Sequence, residues 1–294
     1  MSKLMPNKTL KLSVVLATRN EEENIGRCLA SVKDIADEII VVDEYSTDKT
    51  REIAEKYGAK VFTEPHHDIF HITKEKALDK AVGEWILQLD ADEVVTPELA
   101  SEISSVVNSQ SLTINHQPLE INSLFTRHQK LIEDRDGKIG KPTGEIVGYF
   151  IPRRNMFLGR PLIHAGVYPD GVIRLVKKGF AHFPQKSVHE QISLNGDVSW
   201  LSKDLLHYDS PTLKKYLMRL NRYTDLHAGE LKNRKAPKNP FYFIYYCLFR
   251  PFLVFINLFL RHLGILDGAR GFLWSFLSAT HFPIAYFKYI TGKV

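Results

Sequence analysis

Glu84-Trp85-Ile86-Leu87-Gln88-Leu89-Asp90-Ala91-Asp92-Glu93 passes from a continuous apolar run directly into three acids. Such a run reads as a buried strand delivering carboxylates at its carboxyl end, the edge at which parallel α/β sheets bind ligands. Asp90 and Asp92 are separated by one small residue. They offer two oxygen donors that can reach a hard divalent cation, Mg²⁺ or Mn²⁺, and through it a diphosphate. The spacing alone also occurs by chance in a surface turn. Asp134-Arg135-Asp136 repeats it in a polar stretch before Gly137, with no strand leading in, and reads as a solvated turn.

The same pattern recurs nearer the N-terminus. Leu12-Ser13-Val14-Val15-Leu16-Ala17 reads as a buried strand, followed by Thr18-Arg19-Asn20-Glu21-Glu22-Glu23 and a helical pattern of Ile25, Leu29 and Val32. Asn20 with Glu23 three residues on resembles a capping box, and a helix N-terminus at the top of a sheet suits a nucleotide. Glu38-Ile39-Ile40-Val41-Val42-Asp43 is a second apolar run ending in an acid, and Ser46-Thr47-Asp48 starts a helix through Tyr57 that closes at Gly58. A third strand is Lys60-Val61-Phe62. A helix from about Ile69 to Val82, with Gly83 beyond it, leads back to the opening stretch. Alternation of this kind implies an α/β fold built on a doubly wound, mostly parallel sheet. Thr18-Arg19-Asn20, Asp43-Glu44 and Asp90-Ala91-Asp92 then meet on one edge. Neither Gly-x-Gly-x-x-Gly nor Gly-x-x-x-x-Gly-Lys-Ser/Thr is present, which leaves a sugar nucleotide as the better ligand.

Composition narrows the class. The 294 residues are 44% hydrophobic and 25% charged, ordinary for a globular chain and far from a disordered one. Cys28 and Cys247 are distant and lack metal-ligand spacing, which fits a reducing compartment. Met1 to Pro6 has no apolar signal core, so export is not expected. A net charge of +5 suits anionic partners.

In the second half, Pro97 after Thr96 opens a helix to about Val107, and Leu119 to Ile132 has near-helical apolar spacing. Glu145 to Ile151 reads as a strand, and Arg153-Arg154-Asn155 as part of a Pro- and Gly-rich loop segment reaching Gly171. Arg153, Arg154, Arg160, His164 and Arg174 fall within 22 residues. They read either as donors to a phosphorylated acceptor or a diphosphate leaving group, or as a solvated basic loop. Glu190, between apolar Val188 and Ile192, has surroundings that can raise a carboxyl pKa, and His189 stands beside it. His207, in Leu205-Leu206-His207-Tyr208, reads on its own as a satisfied core histidine.

The last third changes character. Leu213, Tyr216, Leu217, Leu220, Tyr223 and Leu226 mark an amphipathic helix, and a basic run, Lys232 to Lys238, follows. Residues 241–290 hold half of the chain's Phe, Tyr and Trp, with Asp267 their one acid, a pattern suited to an anionic membrane surface. Phe241 to Leu260 is long enough to span a bilayer, but Arg250-Pro251 lies at its centre. Two helices lying in the interface, 241–262 and 271–290, hinged near Gly264 and Gly268, avoid that cost; a span within 241–290 stays open, as does packing of the tail on the rest of the protein or on another subunit. Nucleic acid is disfavoured, because the aromatics alternate with Leu and Ile rather than with a basic groove.

The set VVLATRNEEENIGRCLASV, EIIVVDEYSTDKT, KALDKAVGEWILQLDADE and RRNMFLGRPLIHAGVYPDGVIRL resembles family 2 glycosyltransferases of the GT-A fold, in particular the branch containing lipopolysaccharide-core glucosyltransferases. The resemblance implies a nucleotide-sugar-binding half over 1–110, an acceptor-side half over 111–210 and a hydrophobic helical tail over 211–294. It assigns the nucleotide sugar to Thr18, Arg19, Glu21, Asp43, Asp90 and Arg154, and the metal, Mg²⁺ or Mn²⁺, to Asp90, Asp92 and His207. It makes Glu190 the catalytic base with His189 beside it. Relatives commonly carry Gly where Tyr45 stands, and Asp or Ser where Glu44 stands. The activity it implies is inverting transfer of a hexose from a UDP-sugar to a lipid-linked or cell-envelope saccharide at the cytoplasmic face of the membrane. A polyprenyl-phosphate glycosyltransferase and a non-catalytic membrane scaffold are the two alternatives.

Overall fold

The computed structural model describes residues 10–109, 123–184 and 191–292. β1 (Leu12–Thr18), α1 (Ile25–Val32), β2 (Glu38–Asp43), α2 (Thr50–Lys56), β3 (Lys60–Thr63), α3 (His71–Lys80) and β4 (Trp85–Leu89) alternate strand with helix. β5 (Glu93–Val95), α4 (Pro97–Asn108) and α5 (Ser123–Asp136) come next. Then follow β6 (Ile146–Phe157), β7 (Arg160–Pro161), β8 (Asp170–Lys177), β9 (Ala181–His182), β10 (Ser193–Leu194), β11 (Asp197–Trp200) and β12 (Leu205–Ser210). The large sheet has the order β3-β2-β1-β4-β8-β6-β12-β5, with β11 and β7 also paired to β6. β1, β2, β3 and β4 run parallel, whereas β8 is antiparallel to both β4 and β6. The fold is therefore mixed α/β, with a doubly wound parallel half continued by antiparallel strands.

Contacts divide the chain into two compact units. One runs to Arg153 and resumes over Asp170–His207; the other comprises Arg154–Pro169 and the chain from Tyr208. In the first, every residue of β1, β2 and β4 is buried, as continuous apolar runs require when helices cover both sheet faces. Ile25, Cys28, Leu29 and Val32 of α1, spaced for one helix face, and Leu99 and Ile103 of α4 pack into this core without exposure. Thr96 caps α4 by accepting from Leu99 N at 3.2 Å, with Pro97 in its first turn. Trp200 stacks between Phe125 and Phe150, with ring centroids 4.7 Å from each.

Local expectations needed revision in three places. The Asn20–Glu23 capping box is absent: α1 starts at Ile25, and Asn20, at φ 55°, instead accepts from Thr47 N at 2.8 Å. That bond ties the loop after β1 to the loop after β2, so the Asn serves a long-range contact rather than the adjacent helix. Asp134-Arg135-Asp136 is the last turn of α5, which ends where Gly137 takes φ +91°. Arg153-Arg154-Asn155 lies on β6, not in a loop, because the strand continues to Phe157.

The second unit is built on α6 (Leu213–Asn233), capped by Thr212 in the same way as α4 by Thr96. A continuous helical run, Pro240–Arg261, follows: α7 (Pro240–Ile244), a π segment (Tyr245–Phe249), α8 (Arg250–Ile256) and a second π segment (Asn257–Arg261). Gly264–Asp267 forms a 3₁₀ turn, flanked by Leu263 at φ 57° and Gly268 at φ 61°, before α9 (Gly268–Thr291). The turn is where the sequence placed its hinge. A side chain at Gly271 would collide with the carbonyl of Gly264, so this glycine permits the close return of the chain. Ala228 and Leu231 pack with Tyr246, Tyr286 and Tyr289, while Phe157, Leu162 and Tyr216 form a separate cluster. Among the described residues, the Pro240–Arg261 helix is long and apolar enough to cross a membrane by length and composition, and Phe241, Leu248, Phe249, Phe252 and Leu253 are each more than half exposed.

Candidate active site

Parallel strands β2, β1 and β4 end side by side, with Thr18 opposite Asp43 and Leu16 opposite Leu89 in the ladder. Asp43 is fully buried. Its Oδ2 accepts from Thr18 Oγ1 at 3.0 Å and Ser46 Oγ at 2.5 Å, and its Oδ1 accepts from Ser46 N at 2.7 Å, with Arg51 Nε 3.7 Å away. These bonds fold the two loops onto each other. Thr18 and Asp43 thus form one unit beneath the candidate nucleoside face. Arg19 is exposed, and Glu21 receives a bond from Asn24 Nδ2 at 2.8 Å. Tyr45 is 59% exposed at φ 48°, a conformation that a glycine adopts without strain. Glu44 is buried, accepting from Thr73 Oγ1 at 2.5 Å and lying 2.6 Å from His66 Nδ1, so it binds this turn to α3.

Beyond β4 the acids divide into two kinds. Asp90 lies 2.5 Å from Lys74 Nζ through Oδ1 and 2.5 Å from Arg174 Nη2 through Oδ2. Burial alone would raise the Asp90 carboxyl, but the charges of Arg174 and Lys74 and the Lys74 hydrogen bond hold it well below the usual carboxylate range. Glu93 is fully buried; its Oε1 receives Arg174 Nη2 at 2.7 Å and Arg153 Nη1 at 3.2 Å, and its Oε2 accepts from Asp90 N at 2.9 Å. Arg174 also donates to Gln88 Oε1 at 2.6 Å, and Arg153 Nη2 to Asp170 Oδ2 at 2.7 Å. Burial works to lower the Arg174 guanidinium, and the charges of Asp90 and Glu93 raise it above its ordinary value. Lys74 and Glu93 escaped the sequence reading as site residues. The only signal was an excess of acids after β4, which calls for cations without naming them.

Asp92 is different. Its Oδ2 lies 3.5 Å from His207 Nε2, on β12, and a quarter of its side chain is exposed. Burial raises this carboxyl too, but the hydrogen bond and charge of His207 outweigh it, so the net displacement is downward. The described residues contain no group of three or more His, Cys, Asp or Glu placed to hold a metal ion. Asp92 and His207 nevertheless offer one hard and one borderline donor together, a set that suits Mg²⁺ or Mn²⁺ when diphosphate oxygens supply further ligands. The oxygens of Asp90 face Lys74 and Arg174.

The remaining site residues fall in both units. Arg153 and Arg174 are strand residues buried among acids, not members of a solvated loop. Arg154 belongs to the second unit, as do Arg160, which is exposed, and His164, whose Nδ1 lies 3.0 Å from Asp267 Oδ1. His189 and Glu190 lie outside the described residues.

Residues 13–131 match the model of glycosyl transferase family 2. An uncharacterized glycosyltransferase of Rickettsia bellii is 31% identical over 243 residues, 79% of this chain and 71% of that protein. A lipopolysaccharide core biosynthesis glycosyltransferase of Rhizobium meliloti is 24% identical over 92% of this chain and 91% of its own length. A solved structure of Mycobacterium tuberculosis glucosyl-3-phosphoglycerate synthase, with Mn²⁺, uridine diphosphate and glucosyl-3-phosphoglycerate, aligns at 24% identity, TM-score 0.30, over 34% of this chain and 41% of that one. With the family model matched within its first half and a glycosyltransferase relative 31% identical over 71% of that protein, the chain belongs to glycosyl transferase family 2.

Proposed function

We propose that the protein is an inverting hexosyltransferase that uses a UDP-sugar and acts on a lipid-linked or envelope saccharide at the cytoplasmic face of the membrane. The observation carrying this reading is the pairing of Asp92 with His207 beside an Asp90 already neutralised by Lys74 and Arg174. The edge keeps one acid available to the donor and fixes the other. Similarity to the lipopolysaccharide core enzyme supports the acceptor class, and the exposed apolar Pro240–Arg261 helix supports the membrane.

Asp92 and His207 would hold Mg²⁺ or Mn²⁺, which when bound neutralises the diphosphate as it leaves. Thr18 and Asp43 hold the two loops in the shape against which the nucleoside packs, with Arg19 and Glu21 flanking it. Asp90, fixed by its two cations, presents its remaining lone pairs to the ribose. Arg154 is assigned to the donor by family resemblance. Glu190 takes the proton of the acceptor hydroxyl while that oxygen attacks the anomeric carbon from the side opposite the leaving diphosphate, so configuration inverts; His189 stands beside it in the sequence.

A thermal-shift panel of UDP-, GDP- and CMP-sugars, with and without Mn²⁺, on the wild type and Asp92→Asn tests the reading. Ligand at a hundred times its dissociation constant stabilises the native state by about 2.7 kcal/mol. Metal-dependent stabilisation by UDP-sugar that is lost in Asp92→Asn is expected. A folded sample that no nucleotide shifts returns the protein to the scaffold reading.

A further inference from the structure

Arg250 poses a physical problem. It occupies the middle of the apolar Pro240–Arg261 helix, where a guanidinium surrounded by hydrocarbon is unfavourable. The fold answers by directing it into a cavity of about 370 Å³ lined by His227, Glu230, Arg234, Tyr242, Tyr246 and Arg250. There the guanidinium carbon lies 4.2 Å from the Phe282 ring centroid and 5.2 Å from that of Tyr246. Rings shield a cation but do not neutralise it. Among the described residues neither Arg250 nor Arg234 makes an ion pair, and Glu230 is the only acid in the lining. Two guanidiniums against one carboxylate leave the cavity one positive charge in excess. Burial, followed by the charge of Arg250, lowers the His227 pKa, so its imidazole is neutral near pH 7 and does not add to that excess.

We infer that this cavity binds the phosphate group of a membrane lipid. Guanidiniums are suited to phosphate, since their planar N–H donors match its oxygens, and Tyr242 and Tyr246 belong to the same lining. A lipid is favoured over free phosphate because the helix that supplies Tyr242, Tyr246 and Arg250 also carries the exposed face of Phe241, Leu248, Phe249, Phe252 and Leu253. One ligand with a phosphate head and acyl chains satisfies both. The cavity then converts general attraction to an anionic surface into a stoichiometric headgroup site. This deepens the membrane part of the proposed function and rests on it, but not on the donor assignment.

The test is calorimetric titration of the full chain with short-chain, water-soluble dihexanoyl phosphatidic acid, and in parallel with dihexanoyl phosphatidylcholine and inorganic phosphate. Saturable one-to-one binding of the phosphatidic acid is expected, at least tenfold tighter than either of the others. Arg250→Gln should weaken it tenfold or more. Arg234→Gln, an exposed position whose replacement leaves the ring stack intact, should weaken it about fivefold and keeps the test valid if the first variant misfolds. Lys232→Gln/Lys235→Gln, from the same basic run but outside the cavity, should stay within twofold. Equal losses in all three variants would mean diffuse surface charge and overturn the inference; equal affinity for inorganic phosphate would overturn the lipid assignment. If these titrations fail while UDP-sugar still stabilises the wild type, the headgroup site falls and the transferase reading stands.

Discussion

The carboxyl edge of the first unit and the arginine cavity of the second both gather charge, and they resolve it in opposite ways. At the edge, Lys74, Arg153 and Arg174 meet Asp90, Glu93 and Asp170 at distances of 2.5–3.2 Å, and each acid has a cation. In the cavity, Arg234 and Arg250 face one carboxylate, and Arg250 is covered by aromatic rings. A buried charge matched within the chain fixes one arrangement of the backbone. A charge left in excess is capacity for a ligand. The edge itself contains both cases, since among the described residues Asp92 is paired with a histidine rather than with a Lys or Arg.

The largest effect should come from breaking the matched lattice. Arg174→Met leaves Asp90 with Lys74 alone and removes the closest cation from the fully buried Glu93. Loss of one partner of a buried pair costs about 3–5 kcal/mol, so the urea midpoint should fall by that equivalent. A loss below about 1 kcal/mol would show that the lattice does not hold the edge. The lowered pKa of Asp90 adds a signature. Its folded value is below the ordinary 3.8, so its contribution is present above that pH and disappears as pH falls through the folded value. Arg174→Met should flatten this acid limb.

Asp92→Asn should invert the pattern. With no guanidinium depending on it, the variant should retain its stability within about 1 kcal/mol, while sugar transfer falls at least a hundredfold, equivalent to about 2.7 kcal/mol in the barrier. Retained turnover in a folded Asp92→Asn enzyme would move the donor site elsewhere on the edge.

Why was one half of this contrast visible in the sequence and the other not? β1, β2 and β4 are buried on both faces, so they appear as unbroken apolar runs, and an acid directly after such a run stands at the sheet edge for covalent reasons. Thr18, Asp43, Asp90 and Asp92 were therefore readable one strand at a time. Arg174 reaches Asp90 across 84 residues, and only because β8 runs antiparallel to β4. Arg153 reaches Glu93 across 60. No local period announces such a crossing, so the two arginines resembled a surface cluster. The tail hinge was legible because Gly264 and Gly268 interrupt an apolar pattern, while the destination of Arg250 depends on the Phe282 ring of α9.

The histidines of the second unit provide a smaller test. His227 Nδ1 and His281 Nε2 are 2.9 Å apart, so one nitrogen donates and the other accepts, and both rings cannot be doubly protonated in this contact. Burial and the charges of His227 and Arg250 push His281 down to about 4 from an ordinary 6.5. The unfolded chain then binds more protons between these values, so stability should fall as pH drops from 6.5 towards 4. Discounted for partial solvent access, the loss is about 1–2 kcal/mol. His281→Asn should remove that slope without changing the acid limb of the first unit. An unchanged slope would place the titrating group elsewhere.

The smallest effect compares the two units through one chemical group. Thr96 and Thr212 cap α4 and α6 identically, each accepting from the backbone N–H three residues on at 3.2 Å. Replacing a capping Thr by Ala costs about 1 kcal/mol, so Thr96→Ala and Thr212→Ala should be equally destabilising where each is read. The reporters are already in place, since Trp85 and Trp200 belong to the first unit and Trp274 to the second. Each unit has its own buried cluster, and a two-unit chain need not unfold in one step. In variants retaining only the tryptophans of one unit, Thr96→Ala should lower the midpoint seen by Trp85 and Trp200, and Thr212→Ala that seen by Trp274. If either cap variant moves both signals equally, the units unfold as one body, and the stabilities of the matched edge and the arginine cavity cannot be tuned separately.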